Sequence, residues 1–254
     1  KKFSIMPLDT EHIDMICEDI KYQFELGIVD CILFFMPLHP EGTPAVDKAK
    51  LLGDKYKIFK DRLDSMGVKN GILAQSTIGH GYALSEPSPY KKIINLNDGY
   101  EDTVCCPYDD GFCEYIKYTM SYLASLNPDM IMVDDDFRLI NRQGNGCACK
   151  MHMERFNELA NTDMTREELY GILKADNECE YADIFIKTQK EAVIKGAKAM
   201  RDGVDSVNPT LQMAFCAAGG YAEFALDIAK ILSGENNPII IRVSNGVYVP
   251  IGTK

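Results

Sequence analysis

Apolar residues along this chain follow two alternating patterns. Short continuous apolar runs recur six times, each of the length expected for a strand buried on both faces. Between these runs, apolar residues return at helical spacing, as at Ile13, Ile16 and Ile20. The predicted strands are 3–8, 31–36, 71–75, 130–133, 211–216 and 238–243. Repeated strand–helix–strand alternation predicts an α/β protein with a parallel sheet covered by helices.

The start and stop signals of helices refine this outline. Asp9 supplies N-cap chemistry for the first helix, which Gly27 ends, and Thr165 with Glu168 forms a capping box. Residues 93–108 are polar and have no clear period, so they predict an irregular connection. The remaining predicted helices span about 46–66, 109–126, 153–159, 165–173, 181–204 and 222–232.

Two architectures fit six strand–helix units, an open doubly wound sheet and a (β/α)₈ barrel. Neither a G-x-G-x-x-G after the first strand nor a G-x-x-x-x-G-K-[ST] is present, which disfavours nucleotide-binding folds. Polar residues gather after the first four strands, as on the catalytic face of a barrel. We therefore predict a single TIM (β/α)₈-type barrel domain over 1–254, truncated after about six units and part of a longer chain, because six strands alone leave an exposed edge.

Charge and composition limit the partners. The 254 residues carry a formal charge of −11, and no basic patch is visible, which disfavours nucleic acid and anionic membranes. No apolar run approaches the ~20 residues of a membrane span, and no signal peptide is apparent. The nine cysteines are odd in number and lie mostly inside strand-like or helix-like runs, which indicates reduced thiols. These features predict a cytoplasmic protein that binds neutral or cationic small molecules.

The fourth predicted strand ends in three adjacent carboxylates, Asp134, Asp135 and Asp136, with Arg138 close behind. Neighbouring like charges raise one another's pKa, which suits a general acid. Strand alternation predicts that Asp134 and Asp136 point to one face and Asp135 to the other. Asp136 is therefore a candidate proton donor. A solvated acidic turn paired with Arg138 and Arg142, or a divalent-cation site, would give the same pattern.

A cluster of thiols and an imidazole follows the acidic strand end. Cys147, Cys149 and His152 lie within six residues, and Cys105-Cys106-Pro107 upstream offers a fourth ligand. Structural zinc takes four such ligands tetrahedrally, and three cysteines with one histidine are a known combination. Two unpaired thiols and an exposed histidine in a loop are the simpler alternative.

The segment from Val104 to about Phe156 resembles the family 42 glycoside hydrolases, bacterial β-galactosidases built on a (β/α)₈ barrel. Its shared features are a Cys-Pro, a helix, a strand ending in acids, and then clustered metal-type ligands. By this resemblance Cys106, Cys147 and Cys149 match three zinc cysteines, and His152 stands at the fourth. Asp136 matches the general acid/base Glu, and Asp135 matches the Asn before it.

The resemblance implies hydrolysis of a glycosidic bond in a small sugar or oligosaccharide, a structural zinc and assembly as a homo-oligomer. Asp replaces both members of the family's Asn-Glu pair. The family's nucleophile, a Glu after the seventh strand, is not expected in this chain, which has six predicted strands. A non-catalytic carbohydrate-binding or scaffold barrel, and a metal-dependent enzyme that uses the three aspartates, remain alternatives.

Further polar residues at strand ends are candidates for substrate binding. Asp134 and Arg138 belong to the acidic strand end, while His39 and His80 lie in the loops after the second and third strands. Gln75 and Arg242 lie at strand ends. Exposed loop histidines and ordinary packing at a barrel mouth are the competing explanations.

Overall fold

The computed structural model describes residues 2–80, 84–140, 142, 144–217 and 224–243. Among these residues, six strands form one parallel sheet in the order β1-β2-β3-β6-β7-β8, and it curls into a half-barrel. These strands are β1 (Phe3–Met6), β2 (Cys31–Pro37), β3 (Asn70–Gln75), β6 (Ile131–Val133), β7 (Met213–Ala217) and β8 (Ile241–Val243). The prediction of a TIM-type α/β fold with about six strand–helix units is confirmed.

In the part of the chain that the structure describes, seven α-helices connect and cover the strands. Their bounds are α1 (Ile13–Glu25), α2 (Lys48–Ser65), α3 (Asp110–Ser125), α4 (Lys150–Ala160), α5 (Arg166–Ala175), α6 (Glu180–Asp205) and α7 (Ala225–Ser233). The capping box is present, since Thr165 Oγ1 accepts a hydrogen bond from the Glu168 amide and the Glu168 carboxylate accepts one from the Thr165 amide. In the described part of the chain, no helix has the length and apolarity needed to cross a bilayer.

The predicted irregular stretch 93–108 is the main correction to the fold. It contains an antiparallel hairpin of β4 (Lys92–Ile94) and β5 (Glu101–Cys105). Neither strand has a continuous apolar run, so periodicity did not reveal them. The hairpin is bonded to the loop after β3, because the Cys105 amide donates to the Ile78 carbonyl at 2.7 Å.

Smaller differences concern the C-terminal elements. The last two sheet strands begin later than predicted, at Met213 and Ile241. The final predicted helix begins near Ala222, which lies outside the described residues, as does the loop 218–220; the described helix begins at Ala225.

The two faces of the sheet are buried differently. On the convex face, Ile32, Phe34 and Met36 pack into the main core beneath the helices. On the concave face, Leu33, Leu73 and Met132 form a separate, smaller cluster. Alternate residues of one strand therefore serve two cores, as the two-residue period of a strand requires.

The helices α3 and α6 pack unusually closely, and Gly203 permits it. A Cβ atom at this position would lie 2.2 Å from the Lys117 carbonyl oxygen. On the same helix as Gly203, the Gln189 side chain accepts a hydrogen bond from the Cys147 amide in the loop after β6. Helix α6 thus helps to position this loop of the candidate site.

Candidate active site and metal centre

The acidic residues lie in a turn rather than in the strand. Strand β6 ends at Val133, and the Phe137 amide donates to the Asp134 carbonyl at 3.3 Å while the Arg138 amide donates to the Asp136 carbonyl at 2.9 Å. The predicted strand alternation is therefore wrong for these carboxylates, because the chain turns before it reaches Asp135.

A cleft of about 540 Å³ opens at the carboxyl ends of the strands. Ile5, Phe35 and Leu73 contribute the apolar part of its lining, all from the concave face of the sheet. The polar part comprises Gln75, His80, Asp134, Asp135, Arg138 and Arg242. Six of the eight predicted catalytic and substrate-binding residues thus share one cleft, and they come from β3, β8 and the segments after β3 and β6.

The polar side chains that line the cleft also contact neighbouring side chains. The Gln75 amide donates to Asp134 Oδ2 at 2.9 Å, and Arg138 Nη1 lies 3.6 Å from Asp135 Oδ2. Arg242 Nη1 lies 3.0 Å from the sulfur of Cys216. Both carboxylates therefore have a neighbouring donor, which limits the repulsion between them.

Asp136 is placed differently from its two neighbours. Its side chain is 3% exposed and does not line the cleft. Its Oδ2 accepts a hydrogen bond from the Ser76 amide at 2.6 Å and lies 3.0 Å from His80 Nδ1. Its Oδ1 is buried and has no hydrogen-bond partner among the described residues. Asp136 thus faces the loop after β3 and contacts the cleft through His80.

Arg142 ties the same two loops together from the backbone side. Its guanidinium donates to the Gly79 carbonyl at 2.8 Å and, by a very short contact, to the Asp136 carbonyl. The segment after β6 and the loop after β3 are therefore joined by the Asp136–His80 pair and by Arg142.

The surroundings shift the pKa values of the pair in the same direction. Burial raises the pKa of Asp136, although hydrogen bonding to His80 opposes this effect. The hydrogen bond to Asp136 raises the pKa of His80, and the negative charges of Asp134 and Asp135 add to it, while burial works against it. Both groups therefore hold a proton more readily than they would in water.

His39 lies outside this cleft. It is 4% exposed, and its ring nitrogens lie 3.0 Å from the Pro40 carbonyl and 2.8 Å from the Thr103 carbonyl. The ring also packs against Gly79, whose φ is +132° and where a Cβ would lie 2.8 Å from the imidazole. Burial lowers the pKa of His39. The arrangement fits a residue that fastens the hairpin to the β3 loop.

The predicted metal ligands come together in a buried cluster. The ligand atoms of Cys106, Cys147, Cys149 and His152 all lie within 4.8 Å of one another. Cys106 Sγ is 3.7 Å from Cys149 Sγ, and His152 Nδ1 is 3.4 Å from both sulfurs. A tetrahedral ion with bonds of ~2.3 Å to sulfur and ~2.0 Å to nitrogen would set these separations near ~3.8 and ~3.5 Å. The cluster therefore fits such an ion.

Three elements converge on this cluster. Cys106 follows β5, Cys147 lies in the loop after β6, and Cys149 and His152 lie at the start of α4. Since Cys106 follows the hairpin strand bonded to Ile78, the cluster is continuous with the loop that carries His80. An ion held there would cross-link the loops on both sides of β6.

The thiols of the cluster influence one another strongly. Hydrogen bonding with Cys147 and Cys149 raises the pKa of Cys106, and burial raises the pKa of Cys147. Hydrogen bonds with Cys106 and Cys147 lower the pKa of Cys149. Three buried thiols without a cation can thus carry little negative charge, and a bound cation would remove this restriction.

Sequence reasoning missed two residues that support the cluster. Gln189 on α6 accepts a hydrogen bond from the Cys147 amide at 2.8 Å and donates to the Cys147 carbonyl at 2.9 Å. The Tyr108 ring lies 4.5 Å from that of His152. The position of Tyr108, two residues after Cys106, offered a signal, whereas nothing in the sequence around Gln189 connects it with a loop 42 residues away.

No second cluster of this kind appears in the part of the chain that the structure describes. Among the described residues, the Cys/His cluster is the one group of three or more His, Cys, Asp or Glu side chains close enough together to hold an ion. The three aspartates do not converge with a further ligand there, so the geometry gives no support to a divalent-cation site at the acidic turn.

Comparisons with known proteins bear on the fold. No family model and no curated protein matches the sequence. Among solved structures, the chain is similar to a β-galactosidase from Bacillus circulans sp. alkalophilus, with 13% identity, a TM-score of 0.60 and coverage of 100% of this chain and 41% of that chain. A β-galactosidase from the haloarchaeon Halorubrum lacusprofundi gives 11% identity and a TM-score of 0.62, covering 91% and 39%.

A family 42 β-galactosidase from G. stearothermophilus gives 12% identity and a TM-score of 0.56, and the match covers 95% of this chain and 40% of that chain. The chain thus spans about two fifths of the length of these structures. At these identities the comparisons show the fold alone, a curled parallel α/β sheet like that in the matched part of these β-galactosidase structures.

Proposed function

We propose that this chain forms part of a glycoside hydrolase that acts on a small sugar or oligosaccharide. One observation carries the proposal: carboxylate, amide, imidazole and guanidinium groups from separate strands converge in one cleft at the carboxyl ends of the sheet. Active sites of (β/α)₈ enzymes lie at this face. The similarity of the fold to β-galactosidase structures also supports the proposal.

The cleft residues divide by chemistry. Asp134 and Asp135 accept hydrogen bonds from sugar hydroxyls, while Gln75, Arg138 and Arg242 donate to ring or hydroxyl oxygens. The apolar side chains at Phe35 and Leu73 pack against the C–H face of a sugar. Asp136 takes the place of the acid/base residue in the sequence resemblance, but it is buried and contacts the cleft through His80.

The Cys/His cluster would hold a structural zinc ion in this proposal. Cys106, Cys147, Cys149 and His152 supply a full tetrahedral set, which leaves no open position for a water or substrate. The ion would supply cross-linking of the loops rather than chemistry on the sugar.

A second candidate function is carbohydrate binding without hydrolysis. It is favoured by the placement of Asp136 outside the cleft, which leaves two adjacent carboxylates as the acidic groups among the described lining residues. Retaining hydrolysis uses two carboxyl groups ~5–5.5 Å apart across the sugar. A barrel that had lost this pair would bind sugars and leave them intact.

The test is hydrolysis of a panel of aryl glycosides by the full-length protein. We expect turnover of at least one sugar and a loss of about 10²-fold in kcat/KM for Asp135→Asn, because the amide replaces a charged hydrogen-bond acceptor of the sugar hydroxyls. Asp54→Asn is the matched control, since Asp54 is exposed on α2 and pairs with Lys57. Calorimetry with the same sugars would detect binding without turnover, which would replace the hydrolase with the binding function. If the protein neither hydrolysed nor bound any of these sugars, both proposed functions would be refuted.

A further inference from the structure

The pair formed by His80 and Asp136 links the buried carboxylate to the cleft. We propose that His80 is the proton-transfer residue of the cleft and that Asp136 is a positioning residue that orients its ring. This inference rests on the hydrolase function proposed above, and it gives the proton donor a different identity from the one implied by the sequence resemblance.

The geometry separates the two roles. Asp136 is 3% exposed, whereas His80 is 35% exposed and lines the cleft with Asp134, Asp135 and Arg138. A direct proton donor must come within hydrogen-bond reach of the bond that it protonates. His80 lines the cleft, where a ligand can contact it, and Asp136 does not line it.

The contacts of Asp136 also fix the tautomer of the imidazole. Its Oδ2 lies 3.0 Å from His80 Nδ1, so an ionised carboxylate there accepts the Nδ1 proton. The same oxygen accepts from the Ser76 amide at 2.6 Å, which holds the carboxylate in place. A carboxylate that binds Nδ1–H leaves proton exchange with the ligand to Nε2.

The charges around the ring determine when it carries a proton. Groups of both signs face it from the segments after β3 and β6 and from β8. They are Asp134, Asp135, Asp136, Arg138, Arg142 and Arg242. The hydrogen bond to Asp136 dominates and raises the pKa of His80. The imidazolium form is therefore available as an acid closer to neutral pH than it would be for an isolated histidine.

The proposed step balances with water as the second reactant. The bond between the anomeric carbon and the glycosidic oxygen breaks, and its electron pair stays on that oxygen, which takes the proton from His80 Nε2. A water oxygen bonds to the anomeric carbon and releases one proton to solvent, from which His80 regains its own. The products are two hydroxyl compounds, and the imidazole–carboxylate pair is restored.

The first measurement is the state of the His80 ring by ¹⁵N NMR in the full-length protein, with His80→Gln to assign the signal among the histidines. We expect the neutral ring to carry its proton on Nδ1 and Asp136→Asn to lower its pKa by about one unit or more. Asp135→Asn is the matched control and should lower it by less than half as much. A neutral ring protonated on Nε2, or no response to Asp136→Asn, would overturn the proposal. If Asp136→Asn does not fold, the tautomer of the neutral His80 ring in the parent protein tests the proposal by itself.

The second measurement compares two aryl glycosides of one sugar, a phenyl and a dinitrophenyl glycoside, since only the poor phenolate leaving group depends on protonation. His80→Gln should lower kcat/KM for the phenyl glycoside about 10²-fold more than for the other. Equal losses on both substrates would overturn the donor role of His80 while leaving the hydrolase intact. Absence of turnover by the parent protein would instead refute the hydrolase function and the proton-transfer step with it.

Discussion

The sulfur atoms of Cys106 and Cys149 lie 3.7 Å apart although 43 residues separate them in the sequence. Between them the chain passes through α3 and β6 and returns, so the contact closes a loop around one whole structural unit. An ion bound by these sulfurs would stabilise the fold by restraining that loop, as structural zinc does in small domains.

The first prediction concerns metal content. Cys147→Ser should lower the zinc bound per protein from about one to well below half, because three ligands hold the ion less firmly than four. It should also lower the free energy of unfolding by several kcal/mol. Metal analysis by mass spectrometry and thermal unfolding provide the two measurements.

Cys179→Ser is the matched control for this experiment. Cys179 is half-buried at the start of α6 and does not belong to the cluster. Its replacement should leave zinc content and unfolding temperature close to those of the parent. Protein purified without chelator that holds no zinc would contradict the metal site altogether.

The second prediction concerns Gln189, which satisfies both backbone groups of Cys147. Gln189→Leu leaves a buried amide and a buried carbonyl without their partner, which should cost about 2–4 kcal/mol of stability. Chemical unfolding measures the loss, and zinc affinity should fall with it. Gln23→Leu removes an exposed side-chain hydrogen bond to Asp19 on α1 and should cost less than about 0.5 kcal/mol. Similar losses for both variants would argue against a special role of Gln189.

The third prediction compares two glycines in helices. Gly203→Ala should destabilise the protein by about 2 kcal/mol or more, since the new methyl group would meet the Lys117 carbonyl at 2.2 Å and push α6 away from α3. Gly171→Ala, in α5, has nothing within 4 Å and should stabilise the protein by about 0.5–1 kcal/mol. The difference in sign is measured by urea unfolding. A neutral Gly203→Ala would show that the helices can separate at little cost.

The fourth prediction is a dependence of stability on pH. The pKa of His80 is raised in the folded protein above its ordinary value of 6.5. Such a group stabilises the fold fully below its unfolded pKa and loses this effect as pH rises through its folded pKa. The stability difference between the parent and His80→Gln should therefore be largest below about pH 6 and decrease above that folded pKa. Thermal unfolding from about pH 5 to about pH 9 measures it.

His39 should behave in the opposite way and serves as the comparison. Burial lowers its pKa, so the unfolded chain binds more protons near pH 6, and this residue favours folding more as pH rises. The difference between the parent and His39→Gln should therefore grow from acid to neutral pH. If both histidine variants gave the same pH trend, the opposite environments of the two rings would be refuted.

Most of the architecture could be predicted because strands buried on both faces have distinctive apolar runs. Cys31 to Met36 and the capping box at Thr165 are examples in which local sequence and fold agree. The hairpin of β4 and β5 escaped prediction, since its stability comes from contacts with distant loops, such as the Cys105–Ile78 hydrogen bond, and these leave no local period.

The site was predictable in its composition and less so in its orientation. Clustering of acids after an apolar strand indicated a polar strand end, and metal-type spacing indicated the Cys/His cluster. Which carboxylate faces the cleft depends on the turn that follows Val133, and this turn is closed by backbone hydrogen bonds that any residues could make. The pairing of Asp136 with His80, 56 residues apart, depends on the register between β3 and β6.

The hydrogen bond from the Cys105 amide to the Ile78 carbonyl has a consequence for engineering. Because one end of the hairpin meets both the Cys/His cluster and the loop that bears His80, we expect a change in the hairpin to alter the mouth of the cleft without replacing a residue of the cluster or of the cleft. The side chains of Lys92 and Glu101 form an ion pair across the hairpin, and both positions lie outside the lining of the cleft. Libraries that aim to change ligand preference would do well to vary this hairpin together with the cleft.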